Sequence, residues 1–429
     1  MDSLWTKTAA CPQFGTLEND ITTDILVIGG GMAGSLCTLM LRQAGADCVL
    51  AEAETIGSGI TKDTTAKITV QHGLIYDRLI RTFGIGKAGQ YLHANERALQ
   101  MYRTLSKTVD CDFEEQDSFI YGVNPLPLER EVQALRELRA NASYVTDLPQ
   151  PIMGAGAVRL PKQAQFHPLK FLSQIVADLP VYEHTKVREL IGTTAVTEKG
   201  KIRANRIIVA THFPFLNKHG SYFLKLYQHR SYVLALQNVP QIKGMYRDAD
   251  DNGLSFRMYG DTLLLGGGGH RTGKRGGWEE LRQFAKAQFP DAIETAHWAT
   301  QDCMTLDGVP YIGQYSKHAQ DLYVAAGFNG WGMTSSMTAA IILCDLVQGR
   351  ESPYAEIFSP SRSILHPQLA VNAAEAVVSM LTPTKKRCPH MGCALKWNAQ
   401  EHSWDCPCHG SRFSESGDLI DNPAAGDLQ

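Results

Sequence analysis

Long apolar runs are scarce in this sequence: the longest late stretch, residues 339–347, is far too short to cross a bilayer. Residues 1–20 lack the basic patch and apolar core of a secretory leader. The expectation is a cytoplasmic protein without a membrane span. Charge excess is lacking too, since 41 Lys and Arg against 44 Asp and Glu leave a formal charge of -3. Nothing in that balance suggests nucleic acid or an anionic membrane, so small molecules are the expected partners. No repeat or low-complexity tract is found. Cysteine is not spread like a secreted disulfide scaffold: of ten, six stand alone and four crowd between Cys388 and Cys408, which reads as a metal site. A chain of 429 residues can bury a large core and is expected to form two or three units.

Residues 24–28 form an apolar run that ends in Gly29-Gly30-Gly31-Met32-Ala33-Gly34, and residues 35–44 then show helical spacing. A second β-run, 48–50, ends at Glu52. A glycine cluster alone is weak, but between a strand and a helix, with an acid closing the next strand, it is a strong dinucleotide fingerprint. Gly29 permits the tight turn, Gly31 lets backbone approach a pyrophosphate, and Gly34 lets helix pack on strand. Met32 and Ala33 open the helix whose N–H groups face the phosphates, and Glu52 accepts from ribose hydroxyls. Farther along, helices are expected over 76–109, 126–142 and 333–347, and longer β-runs at 231–239, 255–260 and 261–265 predict an antiparallel second sheet.

Three further stretches accompany the fingerprint: 207–212 (Ile-Ile-Val-Ala-Thr-His), 305–313 (Thr-Leu-Asp-Gly-Val-Pro-Tyr-Ile-Gly) and 322–334, which holds Gly327-Phe328-Asn329-Gly330-Trp331-Gly332-Met333-Thr334. With them, residues 24–362 resemble the D-amino-acid oxidase superfamily of FAD enzymes. The resemblance implies an α/β Rossmann-like FAD-binding domain (20–85, 155–215 and 320–365) with an inserted antiparallel-sheet substrate domain (86–154 and 216–319). It implies Thr211, Asp307, Gly330, Gly332, Met333 and Thr334 at the cofactor, the last three as N–H donors at a helix N-terminus that stabilise negative charge on reduced flavin. Residues 58–67 resemble the loop over the isoalloxazine in members that carry Rieske domains, which places Thr65 at the cofactor and Lys67 beside the flavin.

Cys388-Pro389-His390 and Cys406-Pro407-Cys408-His409 give two thiolates and two imidazoles separated by fifteen residues, which fits tetrahedral zinc or a Rieske 2Fe-2S centre. Spacing alone leaves both open. Residues 388–424 resemble a Rieske cluster-binding subdomain, small and all-β. That resemblance implies Cys388, His390, Cys406 and His409 as cluster ligands, a Cys393–Cys408 disulfide joining the ligand loops, and Ser411 as a donor to the cluster, with Phe413 where relatives carry a tyrosine. The module, 385–429, is partial: a helix and linker (366–384) run straight into Cys388 where several strands normally precede it. The flavin domain or that helix must brace it.

For the substrate, the resemblance points to the antiparallel domain, where Arg257 is a candidate carboxylate clamp and His270 a candidate contact. His167 before Pro168 reads as a helix start. The implied reaction is dehydrogenation of the C–N bond of an amine or amino acid by hydride transfer to FAD, with electrons leaving through the cluster to a protein or quinone acceptor. The alternatives are an oxygen-using oxidase with a vestigial cluster and a non-catalytic redox sensor.

Overall fold

The computed structural model describes residues 2–216, 220–250 and 252–428. The apolar strand Ile21–Ile28 is the centre of the first sheet because its last four residues are all buried, as a strand covered on both faces requires. It pairs in parallel with Cys48–Ala51 on one side and Lys201–Val209 on the other. Val181–Tyr182 extends the sheet beyond the former and Ala319–Ala326 beyond the latter, both in parallel, and Tyr311–Ser316 closes the edge antiparallel. Helix Met32–Gln43 returns across this sheet and buries its apolar face with the almost wholly buried helix Gly332–Leu346. Glycine is required at two points of that crossover. Gly29 has φ +109°, and a Cβ there would fall 2.6 Å from the Ala210 carbonyl oxygen; a Cβ at Gly34 would fall 1.9 Å from the Gly29 oxygen.

The second sheet is mostly antiparallel. Leu226–Gln237 lies between Ile293–Thr305 and Thr262–Arg271, followed by Ser255–Tyr259, Met245–Asp248, Glu114–Gly122 and Gly156–Gln165. The 13-residue strand Ile293–Thr305, which the apolar runs do not reveal, carries Ala296, Trp298 and Thr300 inward at period two. The long helix begins at Tyr76 as expected and ends at Leu105, with non-helical backbone at Gly84. His167 caps helix Pro168–Val176 by accepting the Lys170 N–H at 3.1 Å.

The C-terminal unit is a four-stranded antiparallel sheet, Lys396–Asn398, Ser403–Asp405, Arg412–Ser414 and Leu419–Asp421, with a small core of Cys388, Cys393, Leu395, Cys406, Cys408, Phe413 and Ala424. So small a core cannot stand alone, and side chains of the large sheets brace it. Gln228 donates to the His409 and Asn422 carbonyls (3.0 and 2.9 Å), Gln301 to Gly410 (2.9 Å), and Arg271 to Pro407 (2.8 Å) and Cys408 (2.9 Å). Helix Pro367–Leu381 contributes Asn372, which accepts from Arg271 at 2.8 Å, and Ser379, which donates to Ala394 at 3.2 Å. No helix among the described residues is long and apolar enough to cross a membrane.

Candidate active site and metal centre

A cavity of about 740 Å³ opens at the C-terminal ends of the parallel strands. Gly29, Gly31, Met32, Ala33, Glu52, Thr65, Thr211, Gly330, Gly332 and Met333 all line it, so most of the residues expected at a dinucleotide converge on one space. The Gly30 and Glu54 N–H groups donate to Glu52, and burial pushes that carboxyl above its ordinary range. Thr61, which no motif singled out, accepts the Met32 N–H at 3.0 Å and so caps the helix that faces the phosphate position.

Several expected contacts are placed elsewhere. Gly34 is not at the wall and serves the helix packing expected of it. Asp307 is not a wall residue: it receives two hydrogen bonds from Arg362, at 2.6 and 2.8 Å, and one from the Val309 N–H at 3.0 Å. The Thr334 hydroxyl is buried and tied to Thr69, donating to its carbonyl at 2.8 Å and accepting its N–H at 3.2 Å, while the Thr334 backbone N–H, the donor expected, lies in the first turn of helix Gly332–Leu346. Arg257 is fully buried and is not a wall residue, and its guanidinium donates to Gln165 at 3.0 Å, to the Phe166 carbonyl at 2.9 Å and to the Thr65 carbonyl, so its donors are spent on holding the protein rather than aimed into the cavity. His270 sits outside the cavity wall, stacked on Tyr232 and within 3.1 Å of its hydroxyl. Residue type gave the right sheet for both, but not the side chains' directions.

Arg257 nonetheless bears on the site, because Thr65 belongs to the 58–67 loop that walls the cavity. Trp5, on the short helix Leu4–Thr8, donates to the Thr64 carbonyl at 2.6 Å, and Trp298 donates to the Asp63 carbonyl at 2.9 Å. The loop is thus clamped by two indoles and a guanidinium. Lys67 ends it, behind the wall residues, reaching Thr65 at 3.3 Å; burial and the charges of Arg257 and Arg247 pull its ammonium down to about 7.

The charged groups that line the cavity from the antiparallel sheet include Arg230, which is paired with Glu401, and Arg247 and Asp302. Arg247 lies 5.4 Å over the Trp331 ring. Asp302 is on the strand before the Thr305 motif, with Thr300 and Met304 also at the wall, and near Gly330. Burial lifts its carboxyl to about 6, opposed by Arg247 and Arg230. Strand alternation could have exposed Asp302 had the 293–305 strand been recognised.

At the other centre the four expected ligands come together. Cys388 and Cys406 are buried and share a thiol hydrogen bond; that contact, the N–H groups of His390 and Met391 and the Ser411 hydroxyl favour the Cys388 thiolate over the cost of burial. The His390 and His409 rings lie 4.9 Å apart, and burial pulls both imidazoles well below their ordinary range, which keeps them neutral as ligation requires. His409 Nε2 donates to the Phe223 carbonyl at 2.9 Å, so buried Nδ1 keeps its lone pair for a metal. Cys393 and Cys408 form a disulfide. Two thiols, two neutral imidazoles and a disulfide across the loops fit a Rieske cluster, just as the glycine cradle and Glu52 fit FAD.

A family model for "FAD dependent oxidoreductase" matches residues 24–346 and one for "Rieske [2Fe-2S] domain" matches residues 363–429. The chain belongs to the FAD dependent oxidoreductase family and ends in a Rieske domain. Its cofactors are therefore FAD and a 2Fe-2S cluster. YhfW of Bacillus subtilis, named as a Rieske 2Fe-2S iron-sulfur protein, is 33% identical over 493 residues, covering 100% of this chain and 97% of that protein. Gamma-glutamylputrescine oxidoreductase of Escherichia coli is 24% identical over 415 residues, covering 84% and 93%. Among solved structures, L-proline dehydrogenase from P. horikoshii superposes with a TM-score of 0.68 at 18% identity, covering 80% of this chain and 98% of that one, which shows the shared fold.

Proposed function

We propose that this oxidoreductase dehydrogenates the C–N bond of a small amine or amino acid and passes the electrons to its Rieske cluster. The observation that carries this reading is that the cluster subdomain is part of the cavity wall: Glu401, Arg412, Leu419, Asp421 and Asn422 line the same space as the dinucleotide fingerprint. When bound, FAD supplies the hydride acceptor and the cluster a one-electron outlet.

The chain's own residues bind, orient and connect. Asp302, ionised above about pH 6, holds a substrate ammonium, and Arg247 takes a carboxylate where the substrate has one. Lys67, whose ammonium is pulled down to about 7 and which reaches Thr65 of the cavity wall at 3.3 Å, is the candidate proton holder of the clamped loop. Residues 211–213 connect the two centres: Thr211 lines the cavity, and the buried Phe213 ring lies 6.5 and 6.3 Å from the rings of His390 and His409. Asn422 ties this bridge to the cluster domain by donating to the Thr211 carbonyl at 2.7 Å and the Phe213 carbonyl at 2.9 Å. The names of the E. coli and P. horikoshii proteins, which speak of an amine derivative and an amino acid, support the substrate class.

The test is anaerobic mixing of flavin-replete protein with a panel of amino acids, secondary amines and diamines while the flavin band near ~450 nm is followed. At least one member should bleach it. Bleaching by dithionite but by no amine overturns the proposal and favours a sensor.

A further inference from the structure

Helix Pro367–Leu381 is inverted relative to an ordinary surface helix. The most buried residues it turns to the protein are polar, with Ala376 packed beside them on the core of the cluster unit: Asn372 and Ser379 are buried and hydrogen-bonded to Arg271 and Ala394, and Glu375 reaches Lys274 at 2.9 Å. Its outward side carries Val371, Ala374, Val377, Val378 and Leu381, all exposed. At roughly 100° per residue these positions fall on one stripe along the helix axis. Leu381 is 77% exposed and Val378 64%, and Leu365, just before the helix, is 88% exposed. Single exposed apolar residues need no explanation, but a contiguous stripe marks a surface that is covered.

The residues just beyond the helix indicate the covering. Lys385 and Lys386 are exposed just after its C-terminus, the Lys386 ammonium 5.5 Å over the Trp404 ring, and Arg387 folds back to donate to the Met380 carbonyl at 3.2 Å and the Gly392 carbonyl at 2.8 Å. The apolar stripe, the lysine pair and the exposed Met391 of the cluster loop are thereby fixed side by side. An apolar helical face edged by lysines suits the interface of an anionic bilayer, where acyl chains receive the valines and leucines and headgroup phosphates the ammonium groups. The net charge of -3 conceals this local pair.

We propose that this face seats the protein peripherally on an anionic lipid surface, with helix Pro367–Leu381 in the interface and the cluster loop beside it. The proposal is independent of the reaction assigned to the cavity. Full-length protein carrying both cofactors is sedimented with vesicles of phosphatidylcholine alone and of equal parts phosphatidylcholine and phosphatidylglycerol. It should bind only the second kind, more weakly as salt rises. Lys385→Glu/Lys386→Glu should weaken the partition roughly tenfold or more, and Val377→Glu/Leu381→Glu should abolish it, both with flavin and iron content unchanged. Absence of binding to the anionic vesicles at low salt overturns the proposal, as does binding that neither variant weakens. A dimer in sedimentation velocity that Val377→Glu/Leu381→Glu dissociates also overturns it, by assigning the face to a second copy of the chain.

Discussion

Asp302 is the residue at which stability and function pull apart. Its carboxyl is raised from 3.8 to about 6, so the folded protein holds that proton more tightly than the unfolded chain. As pH rises through 3.8 towards 6 and beyond, the group progressively costs stability, up to about 3 kcal/mol. Asp302→Asn should therefore raise the melting temperature by a few degrees at pH 7 to 8, with the gain vanishing below about pH 4. The same substitution removes a charged partner and should raise KM for a cationic amine roughly ten- to a hundredfold. Unchanged KM would place the ammonium elsewhere. Arg257 makes the opposite prediction. Its donors hold loop carbonyls, so Arg257→Met should loosen the 58–67 loop, lower retention of FAD about tenfold and lower the melting temperature, while KM of the flavin-replete enzyme stays within about twofold. A large rise in KM with flavin retention intact would return Arg257 to the substrate. The glycines of the fingerprint were legible because backbone conformation and close approach are constraints that a local sequence can state. The misplacement of Arg257 and His270 has the converse cause, since which way a strand side chain points depends on register with neighbours far away in sequence.

At the scale of elements, the contacts between the large sheets and the cluster unit include a nearly dry ionic knot. Glu401 accepts from Arg230 and Arg412, with side chains 6%, 4% and 7% exposed, and the Tyr232 hydroxyl adds a bond at 3.3 Å. Arg412 also reaches Asp405 and Asp421, so Arg230 depends on Glu401 more than Arg412 does. Glu401→Gln leaves the Arg230 charge buried and short of its counterion, at a cost of about 3–5 kcal/mol. The expected result is loss of iron relative to flavin and faster proteolytic cutting in the 382–387 linker; unchanged iron content and cutting would show that the polar bonds of Gln228, Gln301 and Arg271 suffice for docking. The sequence announced the elements with clear apolar periodicity, such as the strand Ile21–Ile28 and the helix Gly332–Leu346. Strand Ile293–Thr305 escaped because its inward residues, an alanine, a tryptophan and a threonine, make no apolar run, being separated by His297 and Ala299, and with it went the best candidate for the substrate's ammonium.

For the molecule as a whole, the four-stranded Rieske unit poses the question of how so few strands hold a cluster. The ligand motifs made the centre readable in sequence, whereas the docking that braces it was not, because it is made by glutamines and arginines scattered between positions 228 and 301 that carry no motif. That docking also seats the cluster unit on the cavity wall, and the proposed function depends above all on the coupling of the two centres. Anaerobic titration of the doubly loaded protein with an amine that bleaches the flavin, followed at once by absorbance and by low-temperature EPR, reads that coupling directly. The Rieske signal should grow in as the flavin band falls, and Phe213→Ala should slow its appearance without changing the bleaching. A flavin fully bleached by substrate in protein whose cluster dithionite reduces, with no Rieske signal from substrate, would contradict the coupling.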